Sequence, residues 1–474
     1  MTAAPPATVA DAPAGVPTAR QVRTHLRQAR RRHHDHSLSD VLGDAYVVVL
    51  FVGMYGWFAI SASRDMLDSP TVGRADPGVR WWLAVAALLA GAGLAWRGLR
   101  ALGPLLVTPA TQSWVTSAPV DRRAWLAPRL ALLLMGATAG TALVGVGVAA
   151  LGGVTDLTAL GWAAAAGAGW GAAALALSVV AQGNRAGRRW PALAGVLPLL
   201  AAAIITGLVV LVGRLGDGLP RPAATPTAAL VAVGVPLAVA AAVLAVRALP
   251  RVDRATLTTG AQFANAAATA TILLDPSMLA GLVESRRWRQ IGRVRSRRFL
   301  PGPGWWAMLQ ADVRRLRRHP SALLIWVAMI LVQYAAALAL PGLAGAAQVV
   351  FGYLATDRLT GGLRSISRSP GLRRALGGSD AALRGIHVVV PAVGAGLWWL
   401  LTLPTVDGGP SWLGPALALG VVAAAWRSGT RPPINYGGAT VNTPFGMIPV
   451  DLLRQGARGP ALLAVLVLVR LFLG

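Results

Sequence analysis

Long apolar stretches alternate with short arginine-bearing segments along nearly the whole chain, and that alternation restricts the fold more than any other feature. Many of the stretches approach twenty residues of mostly Ala, Leu, Val and Gly, the length a helix needs to cross a bilayer. The expected fold is therefore all-α, a polytopic integral membrane protein. Composition agrees, since 55% of the 474 residues are hydrophobic and only 13% are charged, a balance foreign to ordinary soluble domains.

Spans are expected at 41–62, 81–102, 130–151, 159–181, 191–213 and 227–249, then at 321–340, 342–356, 386–403, 412–426 and 460–473. The total is about eleven. Arginine bias sets their orientation, because basic residues flanking spans stay in the cytoplasm. Segments 20–32, 97–129, 185–189, 247–318, 358–384 and 427–458 carry most of the arginine, whereas the intervening loops keep only Arg64, Arg74, Arg80, Arg214 and Arg221. The N-terminus is thus expected to be cytoplasmic and the protein to lie in the inner (plasma) membrane. Residues 256–283 are nearly apolar enough for a twelfth span. Crossing there would expose the cluster from Arg286 to Arg298 outside, so this segment is expected to lie on the membrane surface.

The net charge of +26 follows from that orientation, and no nucleic-acid partner is expected. All 44 basic residues are arginine, which excludes the lysine of a phosphate-binding loop and Schiff-base chemistry. Cysteine is absent as well, excluding disulfides, thiol nucleophiles and thiolate metal sites. His33, His34, Asp35 and His36 are adjacent in sequence and poorly placed to converge on one ion, but they suit anionic lipid headgroups. Paired catalytic carboxylates and serine-nucleophile or zinc-protease motifs are missing. The reading is of no catalytic residue, no cofactor and no metal, hence no enzyme.

Internal order suggests duplication. Residues 1–20 read as a disordered tail, 21–249 as a first transmembrane repeat, 250–320 as an Arg-rich cytoplasmic connector and 321–474 as a second repeat. Arginines precede the opening span of each half: Arg23 to Arg32 in the first, Arg314 to Arg318 in the second. Each second span is followed by a polar segment with a small residue, a proline and paired arginines. These are Ala118-Pro119-Val120-Asp121-Arg122-Arg123 and Ser369-Pro370-Gly371-Leu372-Arg373-Arg374. Two parallel pseudo-repeats of six and five spans would be related by an axis along the membrane normal, an arrangement known in transporters.

Three stretches resemble membrane subunits of bacterial ABC-type exporters: Trp114 to Arg123, Asp312 to Pro320 and Leu372 to Leu376. Together with Asn442 to Asp451 they are also similar to an actinobacterial group of multi-pass proteins of unassigned function. The resemblance implies a permease subunit that exports substrate and pairs with a separate cytoplasmic ATP-binding subunit. It places ATPase coupling on Ser117, Pro119, Asp121, Arg122 and Arg123 in the first half, and on Arg364, Ser369, Pro370, Arg373 and Arg374 in the second. Two other functions fit the same residues. One is a membrane scaffold or lipid-interacting protein without transport, with membrane lipid as its partner. The other is a secondary transporter, disfavoured by the scarcity of ionisable residues within the spans.

Overall fold

The computed structural model describes residues 18–33, 76–105, 121–183, 189–215, 219–220, 225–252, 298–318, 320–406, 410–432, 439–443 and 446–473, with isolated positions 54, 58, 61, 65 and 257. Apart from those isolated positions, the expected first span at 41–62 and the surface segment 256–283 lie outside the described residues, as do the coupling residues Ser117 and Pro119. The described residues fall into two compact units, one drawn from 1–64, 87–201 and 221–265, the other from 65–86, 202–220 and 266–474.

Helices dominate. Among the described residues the first six in chain order are α1 (Ala19–His33), α2 (Pro77–Leu102), α3 (Arg122–Leu151), α4 (Leu157–Gly183), α5 (Arg189–Leu215) and α6 (Thr225–Ala248). The Asp121 side chain starts α3 by accepting from the amides of Arg123 at 2.9 Å and Ala124 at 3.2 Å, satisfying donors a helix start leaves open. A tight turn reverses the chain into α4, with Gly153 at φ +82° and Asp156 accepting from Ala159 N at 2.7 Å. α4 packs between α3 and α6. Leu126, Leu130, Ala176, Val179, Ala241, Ala245 and Leu249 make the buried core of this unit.

Small residues allow that packing. A methyl group on Gly145 would collide with the carbonyl of Ala163, and one on Gly167 with the carbonyl of Thr141. The backbones of α3 and α4 thus touch with no side chain between them, the contact favoured where lipid supplies no hydrophobic drive between helices. Outward faces are the reverse. Leu193, Val196, Leu197, Leu200, Ile204, Leu208 and Leu211 of α5 are all exposed at helical spacing. Such a stripe would drive aggregation in water, but it suits acyl chains.

The second unit continues with α7 (Gly304–Arg318), α8 (Pro320–Ala339), α9 (Ala344–Leu359), α10 (Gly361–Arg368), α11 (Pro370–Leu376), α12 (Asp380–Ile386), α13 (Val389–Thr402) and α14 (Leu413–Gly429). A two-stranded antiparallel hairpin follows, β1 (Thr440–Thr443) against β2 (Gly446–Pro449), then α15 (Val450–Ala457) and α16 (Pro460–Leu473). α9 is the hub, touching α8, α13, α14 and α16. Its buried residues (Gln348, Val349, Gly352, Tyr353, Ala355, Thr356 and Leu359) share one broad face, while Leu354 on the opposite side is exposed, the pattern of a helix with one face in the core.

Eight helices among the described residues are long and apolar enough to cross a membrane: Pro77–Arg100, Arg122–Leu151, Leu157–Gly183, Leu193–Leu215, Ala228–Arg251, Pro320–Ala339, Asp380–Thr405 and Leu453–Leu473. The protein is a membrane-embedded helical protein. Two further expected spans, 342–356 and 412–426, correspond to α9 with 16 residues and α14 with 17. Both are shorter than an ordinary crossing.

Two buried glutamines bridge helices in this unit. Gln333 Nε2 donates to Ala344 O and to Thr405 Oγ1, each at 3.0 Å, and Gln348 Nε2 donates to Thr402 Oγ1 at 3.1 Å. These bonds tie α8, α9 and the end of α13 together, so Gln333 acts as packing glue. Trp398 and Trp399 are buried in the same core, whereas Trp162 and Trp170 are exposed.

Candidate functional site

The segment from Gly361 to Ile386 is folded as three short helices, and its joints follow from local sequence. Ser369 has extended backbone and caps α11, accepting from Leu372 N at 3.2 Å, with Pro370 at the first helical position where its missing amide costs nothing. Gly377 and Gly378 take φ of +70° and +82°, which ends α11 in a conformation only glycine adopts freely. Ser379 then caps α12, accepting from Ala382 N at 3.2 Å. The result is an elbow with α11 at its tip.

Arg373 braces that elbow from within. Its Nη1 donates to Ile366 O and Ser367 O, both at 2.8 Å, covering carbonyls that the end of α10 leaves open. Its Nε stands 2.9 Å from Asp380 Oδ2, close enough for ion pairing but without the alignment of a hydrogen bond, since the same Nε has no hydrogen-bond partner. Arg364 pairs with Asp357 across the α9–α10 corner. Arg374 points out, as do Leu372, 43% exposed, and Leu376, 45% exposed. The tip therefore presents one cation between two leucines, on a backbone held by caps and ion pairs.

α7 is clamped to the base of the elbow. Asp312 is buried and its Oδ2 lies 2.6 Å from His387 Nδ1, while its Oδ1 fills the space where a methyl on Gly362 would sit. Arg315 Nη1 donates to Gly361 O. An Arg-rich helix at the head of a span is thus locked to the segment that carries an arginine pair.

The first unit shows a related arrangement. Arg23 of α1 donates from Nη1 to Ala124 O at 2.9 Å, joining α1 to the start of α3. Arg122 donates from Nη1 to Val252 O at 3.3 Å, and Arg123 is exposed. In both pairs the first arginine is engaged with backbone carbonyls and the second is free to face outward. The pairs differ in setting. Arg122 and Arg123 open a helix, where the macrodipole disfavours cations, whereas Arg373 and Arg374 close one, where it favours them.

Of the expected coupling residues, the structure brings together Arg364, Ser369, Pro370, Arg373 and Arg374 in the elbow and Asp121, Arg122 and Arg123 at the head of α3. Sequence reasoning missed Asp312 and His387 as a pair. They are 75 residues apart, and the available signal was one acid within an Arg-rich helix. Arg470, near the end of α16, is buried, 8% exposed, packed where Gly345 leaves room.

Residues 73–439 match the model of a family described as "Family of unknown function (DUF6297)". No curated protein and no solved structure matches the chain.

Proposed function

The chain belongs to DUF6297, a family of unknown function, and we propose that it is the permease subunit of an ATP-driven exporter, paired with a separate cytoplasmic ATPase. The observation that carries this reading is the elbow α10–α12. A short helix with exposed Leu372, Arg374 and Leu376, braced by Arg373 and two serine caps, is a pre-organised surface that needs little ordering on binding a protein partner. Its arginine content puts it on the cytoplasmic side, where an ATPase is found.

Clamping of α7 on the elbow supplies the coupling route. A push on α11 passes through the Asp312–His387 and Arg315–Gly361 contacts into α7 and the adjoining span α8. Movement of that kind would reorient the helices, the rigid-body change that alternating access requires. The parallel use of Arg23 with Arg122 and of Arg315 with Arg373 supports two pseudo-repeats in one orientation, and the lengths of the apolar segments with their arginine bias support the reading of eleven spans in the plasma membrane with a cytoplasmic N-terminus.

Gentle solubilisation from the native membrane, with the chain tagged, tests the proposal. An ATP-hydrolysing protein is expected to co-purify and to lose its association on Leu372→Asp combined with Arg374→Glu. Isolation of the chain alone, with no ATPase stimulated by it, would overturn the reading.

A further inference from the structure

A cleft of about 590 Å³ opens between the end of α14 and the α15–α16 joint, lined by Arg427, Asp451, Arg454, Gln455 and Arg458 with Pro432 at its rim. Three guanidinium groups face one space. Among the described residues none of the three has a side-chain hydrogen bond or ion pair, whereas elsewhere in this unit Arg315, Arg364, Arg373 and Arg384 all have partners. Like charges gathered around a low-dielectric wall repel, and an anion relieves that cost.

The fold builds the cleft. Arg431 Nη2 donates to Gly456 O at 3.3 Å, which holds the end of α15 against the segment following α14. At the start of α16, Gly459 gives Tyr353 and Ser428 room to approach closely. Asp451, the one acid among the described residues lining the cleft, accepts from Gln455 Nε2 at 3.0 Å. Counting the lining side chains, three cations against one acid leave a charge of about +2 facing the space.

We propose that this cleft binds a phosphate ester, with Arg427, Arg454 and Arg458 as its ligands. Guanidinium forks match phosphate oxygens in pairs, and the volume admits a glycerophosphate or similar headgroup. Leu453 at 46% exposure and Val465 at 53% are exposed on the span Leu453–Leu473, which also carries Arg454 and Arg458, and acyl chains of a phospholipid would run along it. Phosphate supplied by an anionic lipid headgroup is therefore favoured over a free phosphate compound. The site is independent of ATPase docking, and neither idea falls with the other.

Purified full-length protein in nanodiscs tests it. Retention of phosphatidylglycerol over phosphatidylcholine would be read by native mass spectrometry, alongside titration of glycerol 3-phosphate into detergent-solubilised protein. Wild type is expected to retain phosphatidylglycerol, with about tenfold weaker binding in Arg454→Gln and a larger loss in Arg454→Gln/Arg458→Gln. Arg454 is exposed, so the single variant keeps the fold. Arg247→Gln, removing equal charge from an exposed site on α6, should change binding less than twofold. Binding of glycerol 3-phosphate that is lost in the same variants would uphold the phosphate chemistry with a soluble source. Equal effects of Arg247→Gln and Arg454→Gln, or none from either, would overturn the site.

Discussion

His387 Nδ1 lies 2.6 Å from Asp312 Oδ2, both side chains nearly buried, at 10% and 9% exposure. The two residues stand 75 positions apart: one sits in the Arg-rich helix ahead of α8, the other follows the elbow at the start of α13. Their contact fixes how the polar helix α7 meets the membrane-embedded part of its unit. Because a buried acid cannot be left without a partner cheaply, each side chain depends on the other.

Removing His387 should therefore cost more than its size implies. His387→Ala is expected to destabilise the unit by about 3–5 kcal/mol if the pair is charged and by about 1–3 kcal/mol if it is a neutral hydrogen bond. Thermal unfolding in detergent measures it. The double variant Asp312→Ala/His387→Ala should lose less than the sum of the singles, because no unpaired acid remains.

Gly362 is a second test of the same joint. A methyl there would overlap the Asp312 carboxylate, and overpacking of this kind costs about 1–3 kcal/mol. Gly362→Ala should open the α7–elbow contact, seen as faster proteolysis between α7 and α8. Shortening the obstructing side chain in Gly362→Ala/Asp312→Ser should restore much of the resistance.

The two arginines of the elbow should separate by readout. Arg373→Ala removes the cover from Ile366 O and Ser367 O and is expected to loosen the elbow, raising amide exchange across residues 361–386. Arg374→Glu should leave exchange unchanged and weaken ATPase co-purification. Identical exchange in both variants would deny Arg373 its bracing role.

Spans were legible in the sequence because length and apolarity are local properties, and the eight long helices coincide with expected segments. α9 and α14 were harder. Their 16 and 17 residues bury one face against neighbours and leave Leu354 and Leu419 exposed on the other, and periodicity cannot separate such burial from burial in lipid. The elbow was visible as Pro and paired arginines, but the division of labour between Arg373 and Arg374 depends on which face of α11 meets α10, which composition does not encode. The hairpin β1–β2 was missed, since Asn442 to Asp451 was read only for its resemblance. Asp312 and His387 were invisible as a pair because tertiary contact alone unites them.

In the first unit, the α3–α4 crossing should be sensitive to bulk. Gly167 approaches the carbonyl of Thr141 with no space for a side chain, so Gly167→Leu must push the helices apart and lose the contacts that replace hydrophobic drive in lipid. Loss of the monodisperse peak in detergent is expected. Gly136→Leu, at a glycine of α3 with open space around it, should behave as wild type.

Membrane orientation can be tested directly because the chain has no cysteine, so one introduced thiol reports one position. Thr155 is exposed in the turn between α3 and α4, and Arg368 is exposed at the end of α10. Arginine bias puts them on opposite faces, the turn outside and the elbow inside. A membrane-impermeant maleimide should label Thr155→Cys in intact cells, and Arg368→Cys only after permeabilisation. Labelling of Arg368→Cys in intact cells would place the elbow outside, beyond reach of a cytoplasmic ATPase. The exporter reading would then fail, whereas a phosphate cleft built by Arg427, Arg454 and Arg458 would remain to be judged on its own binding.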